Sequence, residues 1–250
     1  MSKATYRTIA VFVADINEEY NDSFLQSLNK CAFEYNFKIL YFYSFSAQYF
    51  HEAHDDGEKN IFQLVNYDKI DGVVILAQAI KSREIAQDIA DHAIQKGKPV
   101  VSIDRFLDGC INISFNYDDA LTTIIKHMIE KHHLHCFNFV AGVRGNEYSE
   151  RRLEIFRKVM AEYHIPVEEE RIGYGDFWGV PTKKVMDDFL TSDLPFPEAI
   201  ICANDLMAIT VANRLVDAGY RVPEDVAVTG IDGLREARQH IPSITTAKYD

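Results

Sequence analysis

Residues Ala199–Gly233 read AIICANDLMAITVANRLVDAGYRVPEDVAVTGIDG. The order is a short apolar strand, a helix, a tight turn and a second apolar strand. Each strand ends in a polar side chain: Asn204 follows AIICA, and Asp232 follows VAVTGI. Open parallel sheets bind ligands beyond the carboxyl ends of their strands. An amide and a carboxylate at two such ends predict a small polar ligand held by directed hydrogen bonds.

The same unit recurs outward along the chain. Strands are expected at Ile9–Asp15, Phe37–Tyr43, Ile70–Leu76, Lys98–Asp104, Ile111–Phe115 and Cys136–Gly142. Helical spacing follows them: Phe24, Leu28, Cys31, Ala32 and Tyr35 in the first helix, then Ile85, Ile89 and Ala93. Further on come Ala120, Leu121, Ile124, Ile125 and Met128, then Leu153, Phe156 and Met160. A shorter helix is expected near Lys59–Val65, and another from about Thr182 to Leu190. Alternation of strands and helices predicts an α/β fold with mainly parallel sheets and right-handed crossovers. A second series beginning near residue 133 predicts two lobes.

The chain has 250 residues, 47% hydrophobic and 26% charged, enough for a sizeable core in one large or two small domains. Its net charge is −12, which disfavours contact with nucleic-acid phosphates. Cys31, Cys110, Cys136 and Cys202 show no paired spacing, so free and mostly buried thiols in a reducing compartment are expected. The N-terminus has no signal-peptide pattern and no apolar run is long enough to span a membrane, so the expected location is cytoplasmic. No P-loop, GxSxG or HExxH pattern occurs, and no catalytic residue, metal or cofactor is expected. His132, His133 and His135 lack zinc-site spacing, and His51 and His54 with Asp55 and Asp56 read as solvated surface. Asp104 and Arg105 read as a structural pair.

Taken alone, the polar candidates have ordinary readings. Asn204 or Asp205 would cap the helix that follows. Asp232 before Gly233 would be a turn residue. Arg152 would pair with Glu147 or Glu150, and Phe177 and Trp178 would be core or lid residues.

Several stretches together resemble a known family. They are Asp15–Asn17, Ile70–Val74, Pro99–Arg105, Arg152–Arg157, Asn204–Ala208, Gly219–Val226, Gly230–Gly233 and Ile241–Thr246, in family order over nearly the whole chain. The chain resembles the effector-binding core of the lac repressor/galactose repressor family, whose fold is that of type I periplasmic-binding proteins. The resemblance implies two parallel-sheet α/β lobes with a ligand cleft between them, at residues 8–130 and 131–247, and the start of a crossover at 248–250. It implies ligand contacts from Tyr20, Asp119, Arg152, Phe177, Trp178, Asn204 and Asp232. The family's Asn-Pro-aromatic-aromatic turn is replaced here by Glu18-Glu19-Tyr20-Asn21, which implies a different or more polar ligand.

The resemblance implies a sensory domain that binds a sugar or related metabolite, dimerises, and relays closure to an output module expected after residue 250. Phe42, Tyr43, Phe45, Tyr49 and Phe50 would supply part of the dimer surface. Neither nucleic acid nor membrane is expected to touch this part of the protein. A transport-type solute-binding protein is the alternative, and an enzyme the weaker third reading.

Overall fold

A computed structural model describes residues 6–16, 19–45 and 57–248, the side chains of Glu19 and Tyr20 excepted. The expected stretch with His51, His54, Asp55 and Asp56, and the aromatics Tyr49 and Phe50, lie outside the described residues.

The apolar runs form strands because parallel strands covered by helices on both faces need apolar side chains on both sides. In the first unit, residues 1–115, these are β1 (Arg7–Val13), β2 (Phe37–Tyr43), β3 (Gly72–Leu76), β4 (Val100–Ile103) and β5 (Ile111–Ile113). They make a parallel sheet in the order β2-β1-β3-β4-β5. Helices α1 (Glu19–Glu34), α2 (Ala77–Ile80) and α3 (Arg83–Gln95) accompany it. Ser82 caps α3 by accepting from the Ile85 amide at 3.3 Å. Ile89, Ala90 and Ala93 of α3 are buried in a core that includes Phe12, Ile75 and Val100.

The second unit, residues 116–250, has β6 (Phe137–Ala141), β7 (Ile172–Tyr174), β8 (Ala199–Cys202), β9 (Ala227–Ile231) and β10 (Thr245–Ala247). Its parallel order is β10-β9-β8-β6-β7. The helices are α4 (Tyr117–His132), α5 (Glu147–Glu162), α6 (Gly179–Leu190), α7 (Asp205–Asp217) and α8 (Arg235–Gln239). Every residue of β6 and β8 is buried, as central strands require. Leu153, Phe156, Val159 and Met160 form the buried stripe of α5, and Phe156 stacks on Phe139 with centroids 4.7 Å apart. Each such side chain contributes about 1.5–3 kcal/mol by leaving water.

Three expectations need correction. The unit boundary falls after Phe115, not after residue 130, because α4 buries Leu121, Ile124, Ile125, Met128 and Ile129 in the second unit's core. In α1 the inward residues are Leu25 and Ala32, with Phe24 and Leu28 partly covered, whereas Cys31 and Tyr35 are exposed. Tyr35 lies beyond the last helical residue, so helical spacing does not govern it. The cysteines are free, but only Cys202 is buried: it lies on a central strand, whereas Cys31 is on the outer face of α1. Of the expected 248–250 crossover start, only Lys248 is described.

Candidate ligand site

The carboxyl edge of the second sheet presents consecutive strand exits: Asp232 after β9, Ala203 and Asn204 after β8, Gly142 after β6, and Asp176–Phe177 after β7. Arg152, from the second turn of α5, reaches across this edge. One guanidinium nitrogen donates to the Ala203 carbonyl, and Nη2 stands 3.8 Å from Asp232 Oδ1. The two side chains keep 12% and 20% of their surface open to solvent. The guanidinium lies 5.6 Å from the Phe177 ring centroid and 5.5 Å from that of Tyr117. These distances are within cation–π range. The result is a planar, oriented donor beside a carboxylate acceptor, with aromatic rings against the donor.

Backbone geometry holds these groups at a cost. Phe177 has φ +59° and Asp232 φ +131°. Such conformations cost on the order of 1–3 kcal/mol for residues other than glycine and persist only when the surroundings enforce them. For Phe177 the enforcement is visible. Its ring lies so close over Gly142 that a Cβ there would be 2.1 Å from Cζ, and its carbonyl accepts from Asn204 Nδ2 at 3.2 Å. For Asp232, three successive main-chain amides are tethered. Asp232 N–H donates to the Ala247 carbonyl at 3.0 Å, Gly233 N–H to Thr246 Oγ1 at 3.1 Å, and Leu234 N–H to Asp205 Oδ2 at 2.7 Å.

Asp205 is fully buried, and burial pushes its carboxyl above the ordinary aspartate range. Hydrogen bonds from Thr246 and the loop amides, and the charge of Arg152, oppose that rise. A Cβ on Gly230 would lie 2.2 Å from Asp205 Oδ1, so only glycine at this place in β9 leaves room for the carboxylate.

The structure thus brings together Arg152, Phe177, Asn204 and Asp232. Within that group Asn204 is a brace, with Oδ1 capping α7 at the Met207 amide (2.8 Å) and Nδ2 on the Phe177 carbonyl. Trp178 follows Phe177 but is 62% exposed. Asp119 is exposed on the first turn of α4, where its amide and carboxylate meet the side chain of Asn116 at 3.3 and 2.6 Å. The Tyr20 side chain lies outside the described residues. Arg152 turns to Ala203 and Asp232 rather than to Glu147 or Glu150, and Glu150 accepts from the Gly145 amide at 2.8 Å. Sequence reasoning missed Tyr117, Gly142 and the burial of Asp205. Among the described residues, no three His, Cys, Asp or Glu side chains are placed to hold a metal ion. No described helix is long and apolar enough to cross a membrane. Asp104 Oδ1 accepts from the Phe115 amide at 3.0 Å, and Arg105 donates to the Lys81 carbonyl at 2.9 Å. Both therefore tie loops of the first unit together.

Residues 125–250 match the family model of the periplasmic binding protein-like domain. The chain belongs to this family. Within the periplasmic binding protein-like domains it is similar to the effector-binding cores of lac repressor-type regulators, as the resemblance in the sequence implies. It is 27% identical over 197 residues to the probable HTH-type transcriptional repressor ExuR of Bacillus subtilis (strain 168), covering 76% of this chain and 57% of that protein. It is 26% identical over 202 residues to the HTH-type transcriptional repressor PurR of Glaesserella parasuis serovar 5 (strain SH0165), covering 77% and 56%. The chain thus spans just over half the length of these relatives. A solved structure of the LacI family transcriptional regulator CCPA from Weissella paramesenteroides, with bound sucrose, has the same fold. Its TM-score is 0.77 at 20% identity, covering 97% of this chain and 86% of that one.

Proposed function

We propose that this chain is the ligand-sensing part of a cytoplasmic transcription or signalling regulator, with a small hydrophilic effector, a sugar or related metabolite, bound at the carboxyl edge of the second sheet. The observation that carries this reading is the Arg152–Asp232 pair, 3.8 Å apart and still partly open to solvent beside the Phe177 ring. A sugar entering such a place loses water from each hydroxyl, and every hydroxyl then needs a protein partner. Arg152 supplies a rigid fork of donors, Asp232 supplies acceptors, and the Phe177 ring covers an apolar sugar face. Relatives that are transcription repressors, and a neighbour holding sucrose, favour a regulator over a transport protein or an enzyme.

Binding shifts a conformational equilibrium only by its difference in affinity for the two states. The bound state is passed to an output segment outside these 250 residues. The regulator works as a homodimer, and exposed Tyr43 and Phe45, whose rings meet edge to face at 5.3 Å, contribute to its surface. Phe42 is core instead, stacked on Phe12 at 5.1 Å. Thermal-shift measurements with a panel of mono- and disaccharides that includes sucrose test the reading. At least one saccharide raises the midpoint of the wild-type protein and leaves that of Asp232→Ala unmoved. Equal shifts in both proteins would take Asp232 out of the site.

A further inference from the structure

We propose that Asp205, buried beneath the loop, is the positioning residue for Asp232: its carboxylate holds residues 232–234 in the ligand-receiving conformation and releases them on protonation. The consequence for binding rests on the role proposed above for Asp232; the effect on the loop does not.

Among the described residues, the three main-chain amides of this loop donate to Ala247 O, Thr246 Oγ1 and Asp205 Oδ2. Of these three acceptors, the carboxylate of Asp205 is the one that can change charge. The loop carries φ +131° at Asp232 and +71° at Gly233, so its shape depends on those tethers. A carboxylate accepts from an amide about twice as strongly as a neutral group does. Proton uptake by Asp205 therefore weakens the Leu234 tether directly. It also weakens the one at Gly233, because Thr246 joins that amide to the same carboxylate.

Among the described residues, Arg152 and Cys202 are charged or titratable groups coupled to Asp205. Arg152 comes from α5 and favours the ionised form. Cys202 comes from β8, and its thiol is itself held neutral by burial and by Asp205. Thr246 from β10 and the loop amides donate to the carboxylate, and Oδ1, which lies against Gly230 of β9, has no hydrogen-bond partner among the described residues. Burial places the change of charge above the ordinary aspartate value. As pH falls through that midpoint the loop loosens, and effector affinity drops by at most about tenfold per pH unit for a single proton.

The test is an amide NMR titration of the ligand-free protein between about pH 4 and pH 8. The amides of Asp232, Gly233 and Leu234 are expected to share one midpoint above the usual aspartate value of about 3.9. Asp205→Asn should abolish that shared step. Thr246→Val, which keeps the carboxylate but removes a donor to it, should move the step to higher pH. Amides that do not titrate together, or a shared step that survives Asp205→Asn, would overturn the proposal. A parallel calorimetric titration with sucrose separates the two readings. The shared step without sucrose binding supports the loop mechanism and counts against sucrose as the effector. Sucrose binding without the shared step does the reverse.

Discussion

Replacing Gly142 by alanine tests how the aromatic wall of the site is built. The new Cβ would sit 2.1, 2.3 and 2.4 Å from Cζ, Cε2 and Cε1 of Phe177. Carbon atoms in contact prefer about 3.5–4.0 Å, so the ring has to retreat by more than about 1 Å. Retreat is resisted, because Asn204 holds the Phe177 carbonyl at 3.2 Å and the Arg152 guanidinium lies 5.6 Å from the ring centroid. Overpacking of this kind costs about 1–3 kcal/mol. Gly142 is not among the positive-φ residues, so alanine fits the backbone and recovers about 0.4–1 kcal/mol by restricting the unfolded chain. The net expectation is a loss of about 1–2 kcal/mol. In a Phe177→Ala background the obstacle is gone, and Gly142→Ala becomes neutral or slightly stabilising. Urea unfolding of the four proteins in this double-mutant cycle measures the coupling directly. An equal cost of Gly142→Ala in both backgrounds would refute the close ring-on-glycine contact.

Two other outcomes are expected. Asn204→Ala removes the cap of α7 and the Phe177 carbonyl bond together, so thermal unfolding should begin at lower temperature by about 1–2 kcal/mol, roughly 2–8 °C for a domain of this size. The buried Asp205 carboxyl, raised above its unfolded value, binds its proton more tightly in the folded state. Its contribution to stability is therefore full below the unfolded pKa of about 3.9 and is lost as pH rises through the folded midpoint. Chemical denaturation across that window should show wild type losing stability relative to Asp205→Asn as pH rises; a pH-independent difference would contradict the burial argument.

Most of the fold was legible because continuous apolar runs such as FNFVA and AIIC have no stable place except a buried parallel strand. The unit boundary was less legible. Tyr117–His132 has the periodicity of any amphipathic helix, and periodicity does not say which sheet a helix covers. In the candidate site, Arg152 and Phe177 were named through family motifs and Asp232 first through its place at a strand exit. Asn204 was named at a strand exit as well, but an effector contact and a helix cap use the same side chain at the same place. Only the geometry, with both ends of the amide engaged, separates them. Asp205 was read only as a cap of the helix that follows, because an acid at a strand-to-helix junction commonly has that role. The available signal was Gly230 on the neighbouring strand, whose missing side chain makes room for the carboxylate. Gly142, directly after β6, carried a comparable signal for the Phe177 ring.

In the proposed function, Arg152 and Asp232 bind the effector. Calorimetric titration of a saccharide that stabilises the wild-type protein, repeated on Arg152→Ala and Asp232→Ala, tests it most directly. Loss of a hydrogen bond to a charged group costs about 1.5–3 kcal/mol, so each variant should bind roughly 10- to 150-fold more weakly while remaining folded. Unchanged affinity in both folded variants would place the effector away from Arg152 and Asp232.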